Sequence, residues 1–226
     1  MKIGIIGSGN MGRTLGLLWL NKGHEIFFGS TKRHNIAYIQ SLTNQPVLSG
    51  SLRDAVVFGD VLIYCLRNTL PAEIAPEQTW ENKIIVDINN GVIPNEFRYE
   101  PVVQSYAERF QENVPGAKVV KAFNTLAQEI YYLPTETLME QRIAGFFAGD
   151  HTEAKVIIAG LIGETGLVPV DCGHLAQSAK QLESLGDLLR LLMISKNLGP
   201  TMGLTVNQLP VAVTATFGVR QPTNYR

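Results

Sequence analysis

Short apolar runs alternate with longer segments of mixed polarity along most of the chain. Each apolar run has the length of a strand, and the segments between them place apolar residues at helical spacing. Several runs are apolar at consecutive positions, which is typical of parallel strands covered by helices on both faces. The predicted strands are 2–6, 24–28, 47–48, 61–66, 83–88, 118–123, 144–148 and 167–171. The predicted helices are 11–22, 33–42, 51–57, 101–113, 152–164 and 175–197.

This alternation predicts an α/β fold: a doubly wound, mainly parallel Rossmann sheet with a short C-terminal helical extension. We expect a nucleotide-binding domain over 1–172, with 173–226 forming a helix and tail packed on the same domain. The last helix carries leucines at helical spacing, so it packs either on the sheet or against a second subunit, and the pattern favours the sheet. The tail from 205 to 226 contains a β-prone stretch at 211–217 that suits either an arm or a loose terminus.

A glycine-rich loop lies between the first predicted strand and the first predicted helix. It matches G-x-G-x-x-G in the strand–turn–helix context that a dinucleotide-binding fingerprint requires. Gly7 permits a tight turn, Gly9 lets the backbone approach a pyrophosphate, and Gly12 allows the helix to lie close to the strand. The helix N-terminus then faces the phosphates. The predicted pyrophosphate-binding residues are Gly7, Ser8, Gly9, Asn10, Met11 and Gly12.

The segment after the second strand distinguishes NADP from NAD. NAD enzymes carry Asp or Glu there for the ribose hydroxyls, whereas this chain reads Ser30-Thr31-Lys32-Arg33. An acid at this position would repel a phosphate by about 4 kcal/mol at 4 Å and an effective dielectric constant near 20. Two hydroxyls and two cations suit the 2′-phosphate of NADP instead. We therefore predict NADP(H) as the cofactor.

Composition excludes several other classes of protein. The formal net charge of −1 gives no electrostatic reason to expect nucleic acid or an anionic membrane as partner. Cys65 and Cys172 lie far apart, which fits neither a disulfide framework nor a zinc site, and we expect both to be structural and no metal to be bound. No signal-peptide pattern and no apolar run of membrane-spanning length is present, so a cytoplasmic protein is expected.

Two further blocks extend the pattern beyond the glycine loop. They are Val120-Lys121-Ala122-Phe123-Asn124-Thr125, and Asp171-Cys172-Gly173-His174-Leu175 leading into Leu182-Glu183-Ser184-Leu185. With these blocks the chain resembles the coenzyme F420:NADP oxidoreductases and their bacterial relatives, over residues 1–204. The resemblance implies hydride transfer between NADPH and a flavin-like or deazaflavin acceptor, and a homo-oligomer, either a dimer or a larger assembly. Relatives often have Arg at the position of Thr31, so the phosphate contacts differ here.

The resemblance also implies further residues beside the cofactor, at the ends of the fourth, fifth and sixth strands. They are Cys65, Leu66, Arg67, Asn89, Ala122 and Asn124. Ligands of open α/β sheets bind at such carboxyl ends. Hydride transfer between two bound rings needs mainly their proximity and orientation, so we predict no dedicated catalytic residue. His174, placed after the last strand and close to the expected acceptor, is the histidine best located to contradict that prediction.

Two alternatives remain open at the level of the sequence. One is an NADPH-dependent reductase of another small acceptor, such as a carbonyl, an imine or a metal chelate. The other is a non-catalytic NADP sensor whose affinity for a partner changes when the cofactor binds.

Overall fold

The computed structural model of the protein describes residues 1–91 and 101–209 as an α/β fold built on one eight-stranded sheet. The predicted fold class is confirmed. The strands are β1 (Lys2–Ile6), β2 (Glu25–Gly29), β3 (Leu48–Gly50), β4 (Val61–Tyr64), β5 (Ile84–Asp87), β6 (Lys118–Ala122), β7 (Ala144–Gly149) and β8 (Val168–Asp171). The helices are α1 (Asn10–Asn21), α2 (Arg33–Ser41), α3 (Leu52–Phe58), α4 (Pro71–Ile74), α5 (Tyr106–Asn113), α6 (Thr135–Glu140), α7 (Thr152–Glu164) and α8 (Leu175–Ser195), with short 3-10 segments at Glu77–Thr79 and Gln128–Tyr132.

The strand order is β3-β2-β1-β4-β5-β6-β7-β8, whose first six strands have the doubly wound order of dinucleotide-binding sheets. Strands β1 to β6 run parallel, so their carboxyl ends share one edge of the sheet. Strand β7 pairs with β6 in the antiparallel sense, and β8 runs parallel to β7. The carboxyl ends of the last two strands therefore lie at the opposite edge.

Both faces of the sheet are covered, as the continuous apolar strands predict. One core cluster joins alternate strand residues to α1 and α7, with Leu15, Trp19 and Ile158 buried in it. The other cluster lies under α3, α5 and α8, where Phe110 contacts the rings of both Tyr64 and Trp80 edge to face. The sheet is thus the central layer of three, and only its edges are open to ligands.

Helix α8 packs on the sheet, which was the favoured of its two predicted positions. It contacts β6 and β7 and lies beside α5, and its buried residues recur along one side. They are Leu175, Ala179, Leu182, Glu183, Gly186 and Leu189. Because α8 starts beyond the carboxyl end of β8 and is about 31 Å long at 1.5 Å per residue, it runs back across the sheet to the edge where β1 to β6 end.

Element boundaries differ from the prediction mainly where caps decide them. Helix α5 begins at Tyr106 rather than at 101, because Ser105 and Glu108 form a capping box that fixes its first turn. The one-turn elements were not predicted, since segments so short show no periodicity. The β-prone stretch at 211–217 and the end of the tail lie outside the described residues. No helix within the described ranges is long and apolar enough to cross a membrane.

Candidate functional site

Three adjoining cavities form a continuous groove along the carboxyl edge of β1, β4, β5 and β6. The first, of about 250 Å³, lies between the glycine loop and the segment after β2. The second, of about 330 Å³, lies over the start of α1 and shares Gly9 and Cys65 with the first. The third, of about 320 Å³, shares Asn10, Met11 and Arg67 with the second and is closed on its far side by α8. The groove follows the topological switch point between β1 and β4, where open α/β sheets bind ligands.

The three loop glycines have the local geometry that the fingerprint requires. Gly7 has φ of +106°, a left-handed conformation that a side chain would strain. A Cβ on Gly12 would lie 2.2 Å from the Gly7 carbonyl oxygen, so the helix can approach the strand only without one. A Cβ on Gly9 would meet no protein atom within 4 Å, because it would extend into the groove itself. The open space at Gly9 leaves room for a pyrophosphate close to the backbone.

Separate substitutions of Gly9 and Gly12 should affect different properties: the first should weaken NADPH binding, and the second should lower the stability of the fold. Gly9→Ala places a methyl group in the groove and should weaken NADPH binding by at least about tenfold, or ~1.4 kcal/mol, with little loss of stability. Gly12→Ala forces α1 away from β1 and should lower the free energy of unfolding by about 1–3 kcal/mol. Fluorescence titration with NADPH and urea unfolding measure the two quantities. Equal NADPH affinity of Gly9→Ala and wild type would contradict the assigned role of Gly9.

A hydroxyl pair closes the adenosine end of the groove. Ser8 Oγ donates to Ser30 Oγ at 2.6 Å, and Ser30 Oγ accepts from the Lys32 amide at 3.0 Å. Asn35, on the first turn of α2, donates from Nδ2 to the Ser8 carbonyl oxygen at 3.2 Å. The described lining of this cavity includes Lys32 and contains no acidic residue, so its charge favours a phosphate over a bare ribose.

Most of the predicted cofactor residues line the groove, but two do not. Gly7, Ser8, Gly9, Asn10, Met11, Gly12, Ser30, Thr31, Lys32, Cys65, Leu66, Arg67, Asn89 and Asn124 lie along its three cavities. Arg33 opens α2 as an exposed side chain, and Ala122 is buried at the end of β6; neither lines these cavities. Asn35 lines the first cavity and was missed, although an amide one turn into the helix after a basic loop is a detectable signal.

The third cavity is an apolar cleft with a polar rim. Its apolar lining includes Met11, Ile88, Leu189 and Met193. Among its polar lining residues, Asn90 Nδ2 donates to the Asn124 carbonyl oxygen at 2.7 Å, and Asn124 Nδ2 donates to Asn90 Oδ1 at 2.8 Å. Gly186 of α8 packs against that pair so closely that a Cβ would lie 2.6 Å from the Asn90 side chain. Gln128 Oε1 is buried in the same lining and has no hydrogen-bond partner within the described chain.

A buried cluster of three charges ties α8 to the sheet beneath the groove. Lys121 is fully buried, and its Nζ lies 2.8 Å from both Asp87 Oδ2 and Glu183 Oε1. The same Nζ donates to the Asn89 carbonyl oxygen, and Asp87 Oδ1 accepts from Asn89 Nδ2 at 2.7 Å. Burial raises the pKa of Glu183, an effect that the Lys121 ammonium opposes. The cluster holds Asn89, which lines the middle cavity, in place.

Neither cysteine pairs in a disulfide, as expected for structural thiols. Both are free, and burial is the main cause that raises the pKa of each. A raised thiol pKa leaves little nucleophilic thiolate near neutral pH. Within the described ranges, no group of three or more His, Cys, Asp or Glu residues is arranged to hold a metal ion.

The expectation that His174 lies near the acceptor is wrong. His174 follows β8, and β8 runs opposite to β1–β6, so this residue lies at the far edge of the sheet. Its side chain is 71% exposed, and its Nδ1 lies 3.1 Å from Asp150 Oδ1. The apolar pattern of a strand does not reveal its direction.

The doubly wound fold, the glycine loop and the adjoining cavity without an acidic lining residue are together typical of NADP-dependent oxidoreductases. Residues 2–91 match the family described as "NADP oxidoreductase coenzyme F420-dependent", in agreement with the resemblance inferred from the sequence. Among curated proteins, the rat metalloreductase STEAP3 is 28% identical over 193 residues, which are 84% of this chain and 37% of that protein. The chain therefore spans little more than a third of the length of that relative.

Solved structures show the same fold. A protein from Arthrobacter sp. FB24, provisionally named an F420-dependent NADP-reductase, superposes with a TM-score of 0.73 at 23% identity. That match covers 92% of this chain and all of the Arthrobacter chain. A reductive aminase from Aspergillus terreus, solved with NADPH, gives a TM-score of 0.59 at 20% identity over 86% of this chain and 61% of the aminase.

Proposed function

We propose that the protein transfers hydride between NADPH and a flavin-like or deazaflavin acceptor bound in the third cavity. The observation that carries this proposal is the form of that cavity: an apolar cleft that opens directly from the pyrophosphate part of the groove and is covered by α8. Bound NADPH would supply the hydride. The chain's own residues would hold both rings, exclude water with the apolar side chains, and orient the rings with Asn90 and Asn124.

The side chains around the cleft favour a ring acceptor over a simple carbonyl or imine. Reduction of a carbonyl or imine concentrates charge on one oxygen or nitrogen, which needs a proton donor beside it. The described lining holds no His, Tyr, Lys or Cys, and Glu129 is its one carboxylate. A flavin-type ring delocalises the electron pair, and its proton can come from solvent. This supports the prediction that no dedicated catalytic residue is required.

The cellular setting belongs to the same proposal. We infer that the protein works in the cytoplasm as a homodimer or higher homo-oligomer, with a small molecule rather than a nucleic acid or a membrane as its other ligand. The formal net charge of −1 supports the exclusion of polyanionic partners.

The test is loss of NADPH absorbance in the presence of candidate acceptors. We expect turnover with a flavin or a deazaflavin, and turnover at least about a hundredfold slower with simple ketones and imines, the lower end of what a missing acid–base group costs. Faster turnover of a carbonyl or imine would contradict the proposal. Tight NADPH binding without turnover of any acceptor would point to a sensor instead.

A further inference from the structure

Two arginines line the outer part of the third cavity. Arg67 comes from the loop after β4, and Arg190 comes from the last third of α8. Neither forms an ion pair with another residue in the described ranges. Two guanidinium groups held toward one cleft without a carboxylate partner leave several hydrogen-bond donors unused.

The two guanidinium groups lie close enough to influence each other. Partial burial is the main cause that lowers the pKa of Arg67, and the charge of Arg190 lowers it further. Among the described residues, Tyr106 has the opposite effect and no carboxylate acts on Arg67. Both arginines stay protonated at neutral pH. Two like charges at one end of a small cleft repel each other until an anion lies between them.

The third cavity has a positive charge although the whole chain has a slightly negative one. Its described lining holds two cations, Arg67 and Arg190, against one carboxylate, Glu129, while the whole chain has a formal net charge of −1. Glu129 lies near the Gln128 amide, with Nε2 3.4 Å from Oε1, and is absent from the charges that act on Arg67.

The two arginines differ in which ligand they can reach. Arg67 also lines the second cavity, so the pyrophosphate of NADP is within its range. Arg190 lines only the third cavity, beside Leu189, Met193 and Ile194 of the same helix. Arg190 is therefore the arginine that could contact the acceptor without also contacting the pyrophosphate.

We propose that Arg190, together with Arg67, forms an anion subsite that binds a phosphate or carboxylate group of the hydride acceptor. The inference rests on the proposed function and narrows it: the acceptor is a ring with an acidic substituent, rather than a neutral ring. Guanidinium groups bind such oxygens in bidentate fashion. The apolar part of the cleft would hold the ring, and the two arginines would hold its charged substituent.

Equilibrium binding to NADP⁺-loaded protein tests the subsite without requiring turnover. Riboflavin and FMN have the same ring and differ by one phosphate, as do deazariboflavin and its phosphate. Quenching of ring fluorescence should give a dissociation constant at least about tenfold lower for each phosphorylated form. In Arg190→Gln that preference should fall to about threefold or less, while binding of the unphosphorylated ring and of NADPH stays unchanged. Lys196→Gln is the matched control, since Lys196 ends the same helix and lines no part of the groove.

The possible results separate the subsite from the function on which it rests. If the rings bind but Arg190→Gln keeps the full preference for the phosphorylated forms, the subsite is wrong and the proposed function stands. If the wild type binds the phosphorylated and unphosphorylated rings equally well, the subsite is also wrong and the proposed function again stands. If no ring binds to the NADP⁺-loaded protein, the flavin-type acceptor and the subsite are both overturned.

Discussion

Replacing Ser30 by Asp is expected to weaken NADPH binding by about a thousandfold. The carboxylate would replace the hydroxyl that lies between Ser8 Oγ and the Lys32 amide, at the position assigned to the 2′-phosphate. At about 4 Å and an effective dielectric constant near 20, the repulsion is about 4 kcal/mol, which corresponds to roughly three powers of ten. NADH lacks this phosphate, and its ribose hydroxyls can donate to the new carboxylate, so its affinity should stay level or rise.

The dissociation constants of both cofactors, measured by fluorescence titration, check this prediction. Thr43→Asp is the control, since it adds the same charge in the turn after α2. The new carboxylate can still accept from the Gln45 amide, as the Thr43 hydroxyl does, and residue 43 does not line the cavity. That control should bind NADPH like the wild type. Equal weakening of NADPH and NADH in Ser30→Asp would show that the 2′-phosphate does not lie at this position.

Lys121→Met should produce the largest loss of stability among the substitutions considered. The substitution removes the cation between Asp87 and Glu183, which are both buried, and leaves two carboxylates without compensation. Breaking a buried pair in this way costs about 3–5 kcal/mol. For a chain of this size, that corresponds to a fall in Tm of roughly 6–20 °C. Urea unfolding and thermal scans measure the two quantities.

Lys118 provides the control on the same strand. Its partner Glu153 is 67% exposed, so the pair is largely solvated and Lys118→Met should cost less than about 1 kcal/mol. A Lys121→Met protein as stable as the Lys118 variant would mean that the buried carboxylates are neutral in the folded protein. The triad would then stabilise the fold by hydrogen bonding alone.

The dinucleotide half of the groove could be predicted from sequence because its requirements are local. Gly7, Gly9 and Gly12 lie within six consecutive positions, and the strand and helix on either side are evident from the apolar pattern. Ser30 and Lys32 could be placed beside that loop because the end of β2 lies next to it in a doubly wound sheet, and both line the first cavity. Lys32 lines the first cavity, whereas Arg33 starts α2 and does not line it, because neighbours in sequence need not point in the same direction.

The acceptor half could not be predicted in the same way, because it depends on strand direction. The reversal of β7 decides which edge of the sheet the start of α8 occupies, and thereby moves His174 away from the groove and brings Arg190 to it. The buried triad did leave a signal. Lys121 interrupts an apolar strand and Glu183 lies on the apolar side of α8, and buried charges are stable only when paired. Asp87 and Glu183 lie 34 and 62 residues from Lys121 along the chain. A periodic sequence pattern cannot identify pairs at such separations.

Because β7 runs antiparallel to β6, the residues proposed to bind the nucleotide and those proposed to bind the acceptor come from separate parts of the chain. The loops proposed to hold the nucleotide lie close to the start of the chain, within the residues matched by the family, whereas the cleft proposed for the acceptor is completed by a helix that begins at the opposite edge of the sheet. The last turns of α8, which carry Arg190, Met193 and Ile194, line the third cavity and neither of the other two. Such a fold can take on new acceptors through substitutions in one helix while it keeps the same electron donor.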